Sequence, residues 1–488
     1  MTHVSEQIRD QLAPHRIGIL GFGLEGRSTL AFLREMFPDR TILVADRDAE
    51  GMAGLPGLPD LSGLSGSPGL SGLSGMPGDE APGPVQVFSG ADCARGLVGC
   101  SLIFKTPGIP WKNIDHLFRP EQMTSQTDLF LTVLGARTIG ITGTKGKSTT
   151  AALVCAALRA CGRDAVMVGN IGLPALNAVA ADTPDRLYVY ECSSHMLETV
   201  CHAPHAAVFL NLYEEHLDHY RSFGRYAAAK ENILKLQVPG DFAIIGEQIF
   251  TQMSGIGGGT HRQLDITSDG ALVLPPVTND GEPVIIPETS FANRRLRGMH
   301  NLRYLQTALL MTRLYGAAVT PGQIHRAIAS LNGFEGLPHR LQLIAVAEGI
   351  SFFDDSISTI PQASIAAVIS VGDVDTLIFG GLDRGIDYTP LSDFLLAGTV
   401  RNLVALPATG HRMIDLLLHT GNLPASVRTY KAKDMEEAVD IAFQTTRPGY
   451  SCLLSPAAAS YGYYLNFEER GVHFAGLVRS RISKNVLP

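Results

Sequence analysis

The stretch RTIGITGTKGKSTT, residues 137–150, decides how this chain folds. Its β-branched and apolar first part predicts a buried strand, the turn GTKG follows at residues 143–146, and an alanine-rich helical segment begins at Lys147. In that order, backbone N–H groups and the positive end of the helix can face phosphates, while Lys147 neutralises them and Ser148 offers its hydroxyl to Mg²⁺. The general pattern has glycine where this chain has Ile141, so an ordinary strand-to-helix turn is the alternative.

Length and composition indicate a globular protein of several domains. The chain has 488 residues, of which 45% are hydrophobic and 18% charged, with a net charge of −8. Without a basic cluster, a nucleic-acid partner is not expected. No run approaches the ~20 apolar residues that a membrane span needs, and the first 16 residues lack the apolar core of a secretion signal. Seven scattered cysteines without a C-x-x-C pair suggest reduced thiols and a cytoplasmic location.

A second glycine motif lies near the N-terminus. A short apolar strand, residues 16–20, leads into GFGLEG at residues 21–26, and a helical pattern and a second strand ending on Asp46 follow. This order is the dinucleotide-fold fingerprint. Gly21 and Gly23 allow a backbone to approach a pyrophosphate, and Asp46 can accept from a ribose or base donor. The motif fits a nicotinamide cofactor, a nucleotide-sugar diphosphate, or a turn that only packs a helix on a sheet.

Residues 51–84 interrupt the first domain. Glycine falls at every third position from Gly51 to Gly78, except at Asp60, with Pro, Leu and Ser between. The period is that of collagen, but the stretch is short, and a triple helix requires three chains. We interpret it as a flexible insert in a surface loop without a catalytic role.

The strands after the phosphate-binding turn end in side chains that suit a metal. The apolar stretch LYVYE, residues 187–191, ends in Glu191, and the next predicted strand leads to His216 among carboxylates. An acid at the end of a neighbouring strand holds the metal or orients water in phosphate-binding enzymes. We predict metal binding by His216, with a structural histidine as the alternative. Lys230 follows on a helical pattern and, taken by itself, suggests a solvated surface lysine.

Together these residues resemble the Mur ligase family. The matching motifs follow the family's order over the whole chain apart from the insert, and they are GTKGKST at 143–149, ECSS at 191–194, EHLD at 215–218, Lys230, GMHN at 298–301 and GLPHR at 336–340. The glutamate-adding branch of the family is further indicated by TPGI at 106–109, GNIG at 169–172, LSPAAAS at 454–460 and NFEERG at 466–471. Folylpolyglutamate synthase, a sibling, shares the phosphate-binding turn but lacks this ending.

The resemblance implies an α/β fold of three domains. It implies an N-terminal Rossmann-like UDP-binding domain at residues 1–125, a central P-loop ATPase-like domain at 126–334, and a C-terminal Rossmann-like α/β domain at 335–488 that binds glutamate. The implied enzyme is an ADP-forming acid–amino-acid ligase of peptidoglycan precursor synthesis. In the implied reaction, the alanyl carboxylate of UDP-N-acetylmuramoyl-L-alanine takes the γ-phosphoryl group of ATP. The amine of D-glutamate then attacks the acyl phosphate, and catalysis is mainly positioning and charge neutralisation.

The resemblance also implies roles for individual residues. ATP is expected to contact the phosphate loop, which comprises Gly143, Thr144, Lys145, Gly146, Lys147, Ser148 and Thr149, and also Asn301, Arg340 and Asp355. Mg²⁺ is expected at Ser148, Glu191, His216 and Lys230, the last carrying a carbamate. The catalytic candidates are Lys147, His216, Lys230 and Arg340. Substrate contacts are expected from Gly21, Gly23, Asp46, Asn170, Arg384, Ser460 and Phe467.

Two residues depart from the family's usual motifs. Ile357, in DSISTI at residues 355–360, and Arg384 both stand where a lysine is usual. Arginine grips a carboxylate with two N–H groups and is not equivalent to lysine. A similar DSIST motif occurs in a branch of the family that adds L-glutamate, so L-glutamate is the alternative substrate.

Two rival functions follow from the sequence. The first is a homologue that binds nucleotide without turnover, and the second is a dehydrogenase that uses the Gly21 motif for a nicotinamide cofactor. For the leading hypothesis we expect small-molecule substrates, no nucleic-acid or membrane partner, and a monomer.

Overall fold

The computed structural model describes residues 3–47, 84–169, 173–276, 281–296, 299–383, 387–419 and 423–485. The chain divides into two compact units, Met1–Gly333 and Phe334–Pro488. The predicted insert, apart from Pro84, lies outside the described residues, as do the candidate residues Asn170 and Arg384. Within the described part of the chain, no helix has the length and apolar character needed to cross a membrane.

The first sheet of the first unit has five parallel strands in the order β3-β2-β1-β4-β5. Its elements in chain order are α1 (His3–Leu12), β1 (Ile17–Leu20), α2 (Leu24–Met36), β2 (Ile42–Asp46), β3 (Val85–Ser89), β4 (Leu102–Lys105) and β5 (Met123–Thr124). Strand β1 is buried along its length, as expected for the centre of a parallel sheet. The carboxyl ends of β1, β2 and β4 therefore lie side by side, where open α/β sheets bind ligands.

The second sheet is also parallel, in the order β11-β10-β9-β6-β8-β7. Its elements are α3 (Gln126–Leu134), β6 (Thr138–Thr142), α4 (Lys147–Ala160), β7 (Ala165–Gly169), α5 (Ala175–Ala180), β8 (Leu187–Glu191), α6 (Ser194–Leu197), β9 (Ala206–Phe209), α7 (Leu217–Tyr220), α8 (Phe223–Lys235), β10 (Phe242–Ile245), α9 (Glu247–Met253) and β11 (Thr260–Arg262). The fully buried β6 lies between β8 and β9. The residues after these three strands therefore converge.

An antiparallel pair and two helices complete the first unit. They are β12 (Leu272–Leu274), β13 (Val284–Ile286), α10 (Met299–Leu314) and α11 (Pro321–Gly333). Both helices pack against α4.

The second unit has one six-stranded sheet in the order β14-β15-β19-β16-β17-β18. Its elements are β14 (Gln342–Ala347), β15 (Ile350–Asp354), α12 (Pro361–Val371), β16 (Val374–Phe379), α13 (Thr389–Leu396), β17 (Asn402–Ala405), α14 (Thr409–His419), β18 (Arg428–Lys431), α15 (Met435–Thr445), β19 (Ser451–Leu454) and α16 (Phe467–Asn485). Only β14 pairs antiparallel among these described strands. The α/β class with parallel sheets is confirmed, while the three domain boundaries remain predictions.

Candidate functional site

The phosphate loop forms a tight turn between β6 and α4. Gly146, which precedes the first turn of α4, has φ +85°, and a Cβ atom there would lie 2.3 Å from Cζ of Tyr304. Only glycine fits this position. The ammonium group of Lys147 donates to the carbonyl oxygens of Gly143 and Thr144, at 3.1 and 3.0 Å. The loop thus places a cation at the N-terminus of a 14-residue helix, which is an arrangement that favours bound phosphate.

A buried carboxylate lies beside the loop at the end of β8. The hydroxyl of Ser148 donates to Oε1 of Glu191 at 2.9 Å, and Glu191 is only 1% exposed. Its other oxygen, Oε2, is buried and has no hydrogen-bond donor among the described residues. A buried carboxylate oxygen without a partner is costly, so the position suits a cation.

Lys230 reaches the same loop from α8. It is 1% exposed, so the interpretation as a surface lysine is wrong. Its ammonium group donates to the carbonyl oxygen of Gly143 at 2.8 Å and approaches Oγ1 of Thr142 at 3.4 Å. Burial, and then the charge of Lys147, lower the pKa of Lys230 to about 7. A large fraction of this amine is therefore neutral at pH 7, which is the form that reacts with CO₂.

His216 follows β9 and lines the same cavity as Lys147. It has a left-handed backbone with φ +57°, which is uncommon for a residue with a side chain. Its exposed ring makes an edge-to-face contact with His195 at a centroid distance of 4.8 Å. Burial, and then the neighbouring histidines His219 and His216, lower the pKa of His195 to about 3, so its ring is neutral at pH 7.

The cavity has a volume of about 870 Å³ and extends from the first sheet to the phosphate loop. Gly21, Gly23 and Asp46 line one end, and Lys147 and His216 line the other. Gly21 has φ +94°, and a Cβ atom there would overlap a hydroxyl oxygen of the facing turn at 2.0 Å. A carboxylate oxygen of Asp46 accepts from the backbone N–H of the residue after Gly21. The two glycine motifs of the sequence therefore face one continuous space.

Asn301, the remaining candidate of the first unit, lies in the first turn of α10. It is three residues before Tyr304, whose ring adjoins Gly146. Residues three apart share a helix face, so Asn301 lies on the side of α10 that faces the phosphate loop.

The other candidates lie in the second unit. Asp355 is buried after β15 and accepts from the hydroxyl of Ser455 at 2.7 Å; burial raises its pKa to about 6. Arg340 lies close enough that its charge acts on Asp355. Ser460 is buried, and Phe467 begins α16.

A buried arginine that the sequence analysis missed joins the segments of the second unit. Arg470 is 1% exposed and donates to the hydroxyl and carbonyl oxygens of Ser356, at 3.0 and 2.9 Å, and to the carbonyl of Ala458 at 3.1 Å. Ser356 in turn donates to the carbonyl of Phe467 at 2.9 Å. These contacts hold the segments that carry Asp355, Ser460 and Phe467 together.

Four further residues of the first unit were missed. Glu25 lines the cavity, and burial raises its pKa to about 7. The other three are the buried side chains of Lys105 and His219 and the partly buried carboxylate of Glu198 that both of them contact. The sequence contains a signal for two of these residues. Glu25 is an acid inside a glycine motif of the kind that binds anions, and Lys105 is a charged residue at the end of the apolar strand LIFK.

The structure brings the described candidates of the first unit close together, but they do not form a preformed cluster of metal ligands. Lys147 and Lys230 share the carbonyl oxygen of Gly143, and Ser148 is hydrogen-bonded to Glu191. His216 lines the same cavity as Lys147. Among the described residues, no group of three or more His, Cys, Asp or Glu side chains could hold a metal ion.

Comparison with known proteins identifies the family. Residues 141–254 match the Mur ligase middle domain. The UDP-N-acetylmuramoylalanine–D-glutamate ligase of Symbiobacterium thermophilum is 30% identical over 416 residues, which are 81% of this chain and 88% of that protein. The UDP-N-acetylmuramoyl-L-alanine–L-glutamate ligase of Salinispora tropica is 34% identical over 399 residues, which are 79% of this chain and 85% of that protein. Among solved structures, the UDP-N-acetylmuramate–alanine ligase of Thermotoga maritima has 15% identity and a TM-score of 0.48, covering 96% of this chain and 100% of that one. Identity of 30–34% over 79–81% of its length shows that the chain belongs to the Mur ligase family.

Proposed function

We propose that this protein is an ATP-dependent ligase that joins D-glutamate to UDP-N-acetylmuramoyl-L-alanine in peptidoglycan precursor synthesis, in the cytoplasm. The observation that carries the proposal is the group around the Gly143 carbonyl. Lys147 and Lys230 share the Gly143 carbonyl, and Ser148, which follows Lys147 in the chain, pairs with Glu191. Lys147 also lines a cavity whose other end carries a second glycine motif. Relatives that carry this activity in their names support the choice of substrates.

The phosphates of ATP fit the N-terminus of α4. Lys147 lies against carbonyl oxygens of its own loop, so phosphate oxygens can replace those acceptors without a change of backbone. The helix N-terminus and the ammonium group together offset the charge of the triphosphate. Arg340 is proposed at the β- and γ-phosphates, and Asn301 and Asp355 at the adenine and ribose.

The residues beside the loop fit Mg²⁺. Glu191 has a buried oxygen without a donor among the described residues, and its partner Ser148 offers a hydroxyl oxygen. Oxygen ligands of this kind are the ones that Mg²⁺ prefers. Together with His216, they would hold the ion near the phosphates. When bound, Mg²⁺ neutralises the triphosphate and the charge that develops on the transferred phosphoryl group.

Lys230 fits the carbamate that the family resemblance implies. A neutral lysine amine reacts with CO₂, and burial already holds the pKa of Lys230 near 7. The modified side chain carries two oxygens and a negative charge, and its remaining N–H can still donate to the Gly143 carbonyl that the amine contacts at 2.8 Å. We propose that the carbamate helps to place a metal ion.

The cavity fits the nucleotide-sugar substrate. Its diphosphate is proposed at Gly21 and Gly23, with Asp46 accepting from the nucleoside and Asn170 near the muramoyl group. The alanyl carboxylate then extends towards Lys147 and His216 at the other end. This arrangement explains a dinucleotide-type motif in an enzyme without a redox step.

The reaction needs an activated carboxylate, because a carboxylate is a poor electrophile. The alanyl oxygen attacks the γ-phosphorus, ADP leaves, and the glutamate amine then displaces phosphate from the acyl phosphate. The chain's own contribution is to hold both groups in line and to balance charge. Ser460, Phe467 and Arg384 are proposed to hold the glutamate.

L-Glutamate is the second candidate for the amino acid. The Salinispora tropica relative, named for L-glutamate, is 34% identical to this chain, and Ile357 removes the lysine that is usual near the site.

The experiment compares the two enantiomers. Purified protein is incubated with ATP, Mg²⁺, UDP-N-acetylmuramoyl-L-alanine and either D- or L-glutamate, and ADP release and product mass are measured, with Lys147→Ala as the control. Turnover with D-glutamate alone supports the proposal, and turnover with L-glutamate alone supports the second candidate. ATP binding without ADP release in either arm would refute both and favour a nucleotide-binding homologue. Protection of the fold by a nicotinamide dinucleotide but not by UDP would favour the dehydrogenase.

A further inference from the structure

A partly buried carboxylate lies between the two sheets that border the cavity, although the proposed reaction assigns it no role. Glu198 follows α6, and its side chain is 17% exposed. Its Oε2 atom lies 3.5 Å from Nζ of Lys105 and 3.3 Å from Nε2 of His219. Lys105 ends β4 of the first sheet, whereas His219 belongs to α7 beside the second sheet. One oxygen therefore bridges β4 of the first sheet and α7 beside the second.

On the side of the first sheet, Lys105 holds a turn of the cavity wall. Its ammonium group donates to the carbonyl oxygens of Ile109 at 2.8 Å and Thr106 at 3.4 Å, and residues 106–110 line the cavity. The lysine side chain is 1% exposed. A buried ammonium ion requires a negative partner, or it becomes strongly destabilising. The charge of Glu198 therefore allows Lys105 to fix the turn.

On the side of the second sheet, the same oxygen of Glu198 contacts His219, the first of three imidazole rings that meet edge-to-face. The ring of His219 meets the ring of His195 edge-to-face, with centroids 4.3 Å apart and an interplanar angle of 89°. His195 then meets His216 at 4.8 Å and 74°. Edge-to-face ring pairs have defined geometry. The orientation that Glu198 gives to His219 is therefore passed to His216, beside the phosphate loop.

We propose that Glu198 is a positioning residue that couples the two ends of the cavity. Through it, the turn at residues 106–110, which lines the cavity proposed for the nucleotide-sugar, and the imidazole of His216 take up their binding positions together. The inference rests on the proposed function, because it needs both substrates in this cavity. If Glu198 had only a structural role, its replacement would lower the melting temperature but leave the coupling between the two ligands unchanged.

The test measures ligand binding by isothermal titration. In the wild type, UDP-N-acetylmuramoyl-L-alanine should tighten the binding of Mg·ADP at least threefold. Glu198→Gln keeps the size of the side chain and removes its charge. A hydrogen bond to a charged group contributes roughly 1.5–3 kcal/mol, or about 10- to 150-fold in affinity. We expect the variant to bind the nucleotide-sugar at least tenfold more weakly and the coupling factor to fall to about one.

Two further variants make the test specific. The double variant Lys105→Met/Glu198→Gln leaves no unpaired buried charge, so it should bind the nucleotide-sugar more tightly than Glu198→Gln alone. Asp182→Asn is the matched control, because Asp182 is a buried partner of Arg137, at 2.6 Å, in the same unit but away from the cavity lining. Its binding constants should stay within twofold of the wild type.

The outcomes separate the inference from the proposed function. If the wild type does not bind the nucleotide-sugar, the proposed function fails. If it binds both ligands without coupling, or if folded Glu198→Gln behaves like the control, the inference is overturned and the function stands. Should Glu198→Gln not fold, Lys105→Met decides: it should weaken the nucleotide-sugar at least tenfold and leave Mg·ADP alone within twofold, and equal loss of both ligands contradicts the inference.

Discussion

Replacing Lys230 with methionine is expected to stabilise the protein while it abolishes the reaction. Lys230 is 1% exposed, and burial is the main cause that lowers its pKa from 10.5 to about 7. Methionine has a similar length and carries no charge, so it can occupy the same space without that cost. It cannot carry a carbamate, so the proposed metal site loses one ligand.

The size of the stabilisation follows from the change in pKa. Lowering the pKa of Lys230 from 10.5 to about 7 corresponds to about 5 kcal/mol between the two protonation states, of which about 4 kcal/mol is expressed at pH 7. The variant loses the hydrogen bond to the Gly143 carbonyl, which is worth about 1 kcal/mol. That carbonyl still accepts from Lys147 at 3.1 Å, so it is not left unpaired. We expect a net gain of roughly 2–3 kcal/mol at pH 7.

The gain should shrink as the pH rises. Because the folded pKa of Lys230 lies below its value of 10.5 in the unfolded chain, the folded state binds fewer protons than the unfolded state between about pH 7 and 10.5. The stability of the wild type therefore rises with pH across that window. At pH 9 the remaining cost of the lysine is about 2 kcal/mol. After the lost hydrogen bond of about 1 kcal/mol is subtracted, the net advantage of the variant falls to about 1 kcal/mol or less.

The assay is thermal unfolding of both proteins in CO₂-free buffer at pH 7 and pH 9, with ADP release measured in parallel. Lys235→Met is the matched control, since Lys235 lies on the same helix, is largely exposed and pairs with Glu231 at 2.8 Å. It should change stability by less than about 0.5 kcal/mol at either pH. A Lys230→Met protein that melts below the wild type at pH 7, or whose advantage is unchanged at pH 9, would refute the reasoning.

Three further changes test other parts of the site. Lys147→Ala should lower kcat/KM by about 10³-fold or more with an unchanged circular-dichroism spectrum, and near-normal turnover would show that the phosphate site lies elsewhere. Glu191→Gln should raise the Mg²⁺ concentration for half-maximal rate at least tenfold without lowering the melting temperature; an unchanged Mg²⁺ titration contradicts its role as a ligand. Arg470→Met breaks three buried hydrogen bonds and should destabilise the second unit by about 3 kcal/mol or more, whereas Arg479→Met on the exposed side of the same helix should have little effect in the same melting experiment.

The local parts of the fold were predictable from the sequence. Residues 138–142, which include β-branched threonines and isoleucines, form the buried strand β6; the glycine turn and the helix from Lys147 follow as expected. The strand ending on Asp46 and the strand ending on Glu191 also end at those residues. These features depend on side-chain pattern and on backbone freedom at glycine, which are properties of short stretches.

The burial of single charged residues was not predictable in the same way. Lys230 lies in the helical stretch AAAKEN, where nothing local distinguishes it from a surface lysine. Its environment is set by β6, which is about 90 residues earlier in the chain. The same holds for Glu198, whose partners come from different elements before and after it. Contacts of this kind depend on how sheets pack, which the hydrophobic period of one segment does not encode.

The carbonyl oxygen of Gly143 accepts from two lysines, and this affects the order in which CO₂ and ATP bind. Both Lys147 and Lys230 donate to this oxygen, and the charge of Lys147 is one cause of the lowered pKa of Lys230. An arriving triphosphate draws Lys147 away and cancels its charge, so an unmodified Lys230 then holds its proton more firmly. We therefore expect CO₂ to be captured before the nucleotide, and protein saturated with ATP in CO₂-free buffer to gain activity slowly once bicarbonate is added.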